Sequence, residues 1–186
     1  MVRAVTFLGA SCVGKTSVFD LIEKDRSFAR FAKIGSISRQ LVKEGEIDPS
    51  FNSVPSQRAI FDKYLEVLHG ENYISDRSVI DVHTFTRTLP YSVSLDNELR
   101  RQSNLISLNE YYLPVIFYFP IYWNVESDGE RLNDESRRRK WDSEIRRFLI
   151  DKRLPYEVIP NDTPFNRVRF ITVSYTHLTL PTTPYV

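Results

Sequence analysis

The sequence predicts an α/β fold built on a parallel sheet, and three observations predict it. Short β-rich segments alternate with helical patterns along the chain, the order that gives parallel strands flanked by helices. Leu113–Phe119 is an unbroken apolar run closed by Pro120, the mark of a strand buried on both faces. The first apolar strand, Val2–Leu8, passes through a glycine-containing loop directly into a helix. At 186 residues the chain suits one domain and buries roughly 70% of its unfolded surface without a disulfide or metal.

In order, Lys15–Asp25 is predicted helical because Val18, Leu21 and Ile22 recur at helical spacing. Phe31–Ile34 is a short second strand. Ile37–Glu44 is a helix stopped by Gly45, and Asn52–Pro55 is a loop. Ser56 is the expected N-cap of a helix running through Leu68, with Ile60, Phe61, Tyr64, Leu65 and Leu68 on one face, and Gly70 ends it. Tyr73–Ser75 is a strand ending at Asp76, and a helix starts near Ser78. Leu99–Leu108 is a further helical stretch, and Asp128–Glu135 reads as a polar loop. Asp134–Asp151 is a charged helix with Trp141, Ile145, Phe148 and Leu149 as its apolar stripe. Tyr156–Ile159 is the last strand.

From about Val173 the chain is rich in Thr and Pro and shows neither period. This stretch resembles the conceptual translation of a sequencing adapter. Residues 173–186 are therefore expected to be foreign, the domain to occupy 1–172, and His177 to carry no function. The alternative is a natural disordered Thr/Pro-rich terminus.

Composition narrows the function classes. The 25 basic and 24 acidic residues leave a net charge of +1, which argues against a nucleic-acid partner. No apolar run approaches the ~20 residues that span a bilayer, so no membrane role is expected. Met1–Val5 runs straight into a strand and lacks a signal-peptide layout. One cysteine, Cys12, excludes an internal disulfide framework, and the three histidines are far apart. A soluble cytoplasmic domain is expected. No feature specifies an oligomeric state.

Gly9-Ala10-Ser11-Cys12-Val13-Gly14-Lys15-Thr16, followed by Ser17, fits Gly-x-x-x-x-Gly-Lys-Thr between a strand and a helix. Glycines let the backbone fold into a nest of N–H groups aimed at phosphate oxygens. The helix start adds its unpaired amides and positive dipole end. Lys15 supplies a point charge for the β- and γ-phosphates, and the Thr16 hydroxyl can ligate Mg²⁺. ATP and Mg²⁺ are thus the expected cofactors, held by residues Gly9 to Ser17. Cys12 reads as a small loop filler.

Tyr73-Ile74-Ser75-Asp76-Arg77-Ser78, with Asp81 beyond it, is the second constellation. Asp76 closes a predicted parallel strand, at the edge where such sheets bind ligands. A carboxylate there can hold the Mg²⁺ shell or accept a hydroxyl proton, and Arg77 offers a planar fork for an anion. Asp81 reads as a helix-surface or supporting residue. The third constellation is Asp128-Gly129-Glu130-Arg131 followed by Arg137–Lys140. A glycine-hinged loop bearing arginines can close over a triphosphate, with Arg131 and Arg137 as its best candidates. Otherwise the run is a solvated basic face.

With these residues in view, the chain resembles P-loop nucleoside and nucleotide kinases, above all small ATP-binding proteins related to the nicotinamide-riboside kinase domain, including phage-encoded ones. The likeness covers about residues 2–170. It rests on Gly9–Thr16, Ser38-Arg39, Gln57, Asp76-Arg77-Ser78 and Asp128-Gly129-x-Arg131. It implies a P-loop NTPase three-layer sandwich with a mostly parallel central sheet and a lid segment. It also implies an acceptor pocket lined by Arg39, Gln57, Asp76 and Arg77, with Asp76 as catalytic carboxylate or magnesium ligand. Lys15, Arg131 and Arg137 would neutralise charge in transfer.

There are two departures. Gly35-Ser36-Ile37-Ser38 lacks the Glu that many relatives carry just before the arginine, and the last helix looks cut off after Phe170.

The expected function is phosphoryl transfer from Mg-ATP to a nucleoside, nucleotide or similar small acceptor. A nucleotide-binding ATPase or regulator without a small acceptor is the alternative, and a polynucleotide-end kinase the third reading. No Asn-Lys-x-Asp motif supports a guanine switch. Arg77, where motor ATPases carry Glu, disfavours a motor.

Overall fold

The computed structural model describes residues 4–49, 52–68, 72–89, 97, 115–124 and 135–179. Five strands form one parallel sheet: β1 (Ala4–Leu8), β2 (Ala32–Ile34), β3 (Tyr73–Asp76), β4 (Val115–Tyr118) and β5 (Tyr156–Val158), in the spatial order β2-β3-β1-β4-β5. The described helices are α1 (Lys15–Ile22), α2 (Ile37–Lys43), α3 (Val54–Val67), α4 (Val79–Thr86), α5 (Glu135–Asp151) and α6 (Pro164–Thr179). The order changes direction at β1, whose neighbours are β3 and β4, so the loop after β1 opens into the crevice typical of such sheets. None of the described helices is long and apolar enough to cross a membrane.

Strand alternation builds the layers. Val5 and Phe7 of β1, with Val115, Phe117 and the following Phe119, point to the α1–α6 side and meet Val18, Phe19, Ile22, Val168 and Ile171. Leu8, Ile116 and Tyr118 point the other way, onto Ile80, Trp141, Ile145, Phe148 and Leu149 of α4 and α5. A third cluster joins α2, α3 and α4 through Ile37, Leu41, Phe61, Tyr64 and Val79. The three-layer sandwich is thus present, with strands buried on both faces as the apolar runs demanded.

Several boundaries differ from the sequence reading. The cap of α3 is Ser53, whose Oγ accepts from the Ser56 amide at 3.2 Å; Pro55 lies inside the first turn, where its missing N–H costs nothing. Helix α1 ends at Ile22, and Asp25 caps a separate 3₁₀ turn over Arg26–Phe28. Helix α6 continues through residues 173–179, which periodicity left without structure. Its Tyr175 ring packs 5.6 Å from Phe28 and 5.5 Å from Phe31, a tertiary contact invisible to a periodicity count. The helical stretch Leu99–Leu108 and the loop from Asp128 to Asp134 lie outside the described residues.

Phe7 is the hub of the α1–α6 layer, fully buried against Phe19, Phe117 and Phe119 at ring distances of 6.4, 6.3 and 5.1 Å. Phe7→Ala is expected to cost about 3–5 kcal/mol in urea unfolding. A loss below about 1 kcal/mol would mean that this layer can collapse around the gap.

Candidate active site

The loop between β1 and α1 needs unusual backbone at three points. Gly9, Cys12 and Gly14 have φ of 151°, 56° and 87°. A Cβ on Gly9 would stand 2.6 Å from the Phe119 carbonyl oxygen, and one on Gly14 would stand 2.9 Å from Arg167 Nη1. Glycine is therefore required at position 9 by close approach of backbone and at both positions by conformation. Gly14 is also the N-cap of α1 and provides no side chain for the first-turn amides, which leaves them to an anion.

Cations hold every carbonyl from Gly9 to Val13. Lys15 Nζ donates to Gly9 O at 2.7 Å and to Ala10 O at 2.5 Å, and Arg77 Nη1 donates to Gly9 O at 3.1 Å. Arg138 Nε donates to Ser11 O at 2.9 Å, and its Nη2 reaches Cys12 O at 3.5 Å. Arg167 Nη1 donates to Val13 O at 3.0 Å. Carbonyls engaged in this way are compatible with a phosphate nest, and the Gly9 amide itself donates to Asp81 at 3.4 Å.

Asp76 ends β3 beside this loop. Its Oδ2 accepts from Thr16 Oγ1 at 3.0 Å, while Oδ1 is buried without a hydrogen-bond partner. A hydroxyl and a carboxylate with one uncommitted oxygen fit a hard divalent cation that takes its remaining ligands from phosphates and water. No group of three or more His, Cys, Asp or Glu side chains able to hold a metal occurs among the described residues. The Asp76 carbonyl accepts from Tyr64 OH at 3.2 Å, tying α3 to the strand end.

Arg77 sits at φ 90°, a strained conformation for a side-chain-bearing residue. Its amide donates to Phe7 O at 3.1 Å, its guanidinium stacks 4.6 Å from the Trp141 ring, and its Nη1 pairs with Asp81 at 3.4 Å. Arg77 thus braces the loop. Asp81, read from sequence as a helix-surface or supporting residue, is buried. It closes the α4 capping box by accepting from the Ser78 amide at 3.0 Å, and it accepts from Gly9 N at 3.4 Å. Burial raises its carboxyl to about 6, against the pull of Arg77 and Lys15.

The other expected site residues are spread out. Ser17 is exposed in the first turn of α1, Arg39 is exposed on α2, and Gln57 is buried on α3. Arg137 donates to Asn52 Oδ1 at 3.1 Å, and its neighbour Arg138 is the one that reaches the loop. Arg131 lies outside the described residues. Arg138 lies within the expected Arg137–Lys140 run without standing out in it, and Arg167 lies outside every expected constellation, yet each carries a signal. Arg138 precedes Trp141 and Ile145 by three and seven positions, and Arg167 precedes Ile171 by four, so both arginines fall on apolar helix faces.

Lys15 is buried, and desolvation, with Arg77 beside it, lowers its ammonium from 10.5 to about 7. The sign of the linkage follows. Between about 7 and 10.5 the unfolded chain binds more protons at this site than the folded chain, so stability rises with pH across that window. In Lys15→Met this contribution is expected to vanish. Urea unfolding of both proteins at pH 7, 8 and 9 checks it: the wild type should gain on the variant as pH rises, and parallel curves would contradict the burial of the charge.

The AAA_28 family, described as an AAA domain, matches residues 4–167. No curated protein matches the sequence. Among solved structures the chain is similar to NadR in complex with NR, with TM-score 0.71 and 15% identity over 96% of this chain and 52% of NadR, so it spans about half of that protein's length. It is also similar to deoxyadenosine kinase from M. mycoides with bound dATP, with TM-score 0.60 and 14% identity over 94% and 99% of the two chains. YorR from Bacillus subtilis, in complex with phosphorylated GDP, gives TM-score 0.61 and 15% identity over 95% and 99%. The glycine loop, the parallel sheet and the family match coincide over the same residues: the chain belongs to the AAA_28 family of AAA domains and has the fold of P-loop nucleoside and nucleotide kinases.

Proposed function

We propose that this protein transfers the γ-phosphoryl group of magnesium-bound ATP to an oxygen of a nucleoside, nucleotide or similar small acceptor in the cytoplasm. The observation that carries the reading is the loop whose carbonyls are all held by cations, next to the Thr16–Asp76 pair. The nucleotides and nucleoside named with the similar structures support it. The loop amides and the start of α1 bind the polyphosphate, and Lys15 leaves its two carbonyls to meet the β- and γ-oxygens. Polyphosphate charge favours the protonated ammonium and so offsets its burial. Thr16 and Asp76 would hold Mg²⁺, which neutralises charge on the phosphates.

Transfer forms a bond from the acceptor oxygen to the γ-phosphorus as the bond to ADP breaks, and the acceptor proton passes to a carboxylate, the alternative role of Asp76 to holding Mg²⁺. Arg39, Gln57, Asp76 and Arg77 line the acceptor side in this reading, and Arg131 and Arg137 close over the γ-phosphate. Most of the rate comes from positioning and preorganised charge.

ADP release measured over a panel of nucleosides and nucleotides tests the proposal. Release should rise at least about tenfold with the right acceptor, because a positioned acceptor outcompetes water. Equal release with and without every acceptor would point instead to an ATPase. Lys15→Ala is expected to lower turnover by on the order of 100-fold or more with an unchanged circular dichroism spectrum. Full activity in that variant would overturn the role of Lys15.

A further inference from the structure

Two large aromatic rings remain on the surface beside the phosphate loop. Tyr122 is 39% and Trp123 41% exposed, whereas Trp141, the other tryptophan, is 8% exposed. The exposed pair is nonetheless held in place. Tyr122 OH donates to Ile159 O at 2.8 Å, and the Trp123 carbonyl accepts from Arg138 Nη1 at 3.1 Å. The Arg167 guanidinium lies 5.2 Å from the centre of the Trp123 ring and 5.9 Å from that of Tyr122. Arg167 is 2% exposed, and its Nε and Nη2 have no hydrogen-bond partner. Among the described residues this buried charge is met by the two rings, by Val13 O and by the electrostatic pull of the Asp162 carboxylate. A Cβ at Gly14 would lie 4.0 Å from Trp123 Cη2, so the ring borders the amides that begin α1.

An exposed indole, fixed by its neighbours, backed by a cation and adjacent to a polyphosphate nest, is a stacking surface for a flat π-system carried on phosphates. We infer that Trp123, braced by Arg167, is the platform on which the base of the loop-bound nucleotide stacks, and that the base is a purine. The guanidinium draws π density toward one face of the indole, which suits the exposed ring to an electron-rich partner. A purine covers more of the indole than a pyrimidine. Arg167 acts as a positioning residue, joining the ring to the Val13 carbonyl so that base and phosphate sites keep one spacing. The inference rests on the nucleotide-binding half of the proposed function and is independent of the acceptor.

Calorimetric titration of the whole chain with Mg-ATP, Mg-UTP and inorganic tripolyphosphate tests it. ATP should bind about tenfold or more tighter than tripolyphosphate, the range that stacking on an aromatic side chain supplies, and UTP should fall between them. Trp123→Ala should bring ATP down toward tripolyphosphate while leaving tripolyphosphate binding in place, and Trp123→Phe should restore most of the difference. ATP and tripolyphosphate bound equally by the wild type, or the same loss for both ligands in Trp123→Ala, would overturn the platform. UTP bound as tightly as ATP would overturn the purine assignment. If the wild type bound neither nucleotide nor tripolyphosphate, the phosphate loop itself would be refuted, an outcome distinct from loss of the base contribution alone.

Discussion

The site rests on one constraint: every carbonyl from Gly9 to Val13 accepts a hydrogen bond from a cation. Four cations do this from four places in the chain. Lys15 comes from the loop's own helix, Arg77 from the end of β3, Arg138 from α5 and Arg167 from α6. Each donor is charged and mostly buried, so each bond is stronger than its counterpart between neutral groups in water. Burying like charges this close is costly, and the lowered ammonium of Lys15 is the visible sign. A polyanion at the loop, as proposed above, would relieve that cost.

The same constraint explains the strained and buried polar groups around it. Arg77 accepts a left-handed backbone because its amide, its guanidinium and its stacking on Trp141 together hold it there. Asp81 is buried because it ties the first turn of α4 to Arg77 and to the Gly9 amide. The strained Cys12 and Arg77 and the buried Lys15, Asp76 and Asp81 all gather between the end of β3 and the start of α1. The two arginines from α5 and α6 connect the loop to the last third of the chain.

Much of this was legible in the residues. The glycine spacing, the strand before it and the helix after it identified the loop, because backbone freedom and amide direction are local properties. The buried parallel strands were legible from Val115–Tyr118 and Ala4–Leu8, since both faces of each had to be apolar. Asp76 was legible from its place at a strand end. Arg138 was harder to read, because a run of basic residues looks like a solvated face until helical phase puts one member inward. The cap of α3 was misplaced by three residues because Pro55 reads locally as a loop and is equally at home in a first turn.

The chain by itself determined where the glycine loop would lie, that the sheet would be parallel, and that a carboxylate would stand at the edge beside it. Those features follow from glycine, periodicity and strand polarity, which act over a few residues. Only the tertiary structure decided which arginines serve the loop, that Arg77 faces inward, and that Tyr175 belongs to a helix. Those outcomes depend on contacts such as that of Arg167 with Val13, separated by 154 positions, where burial and not local sequence selects the partner.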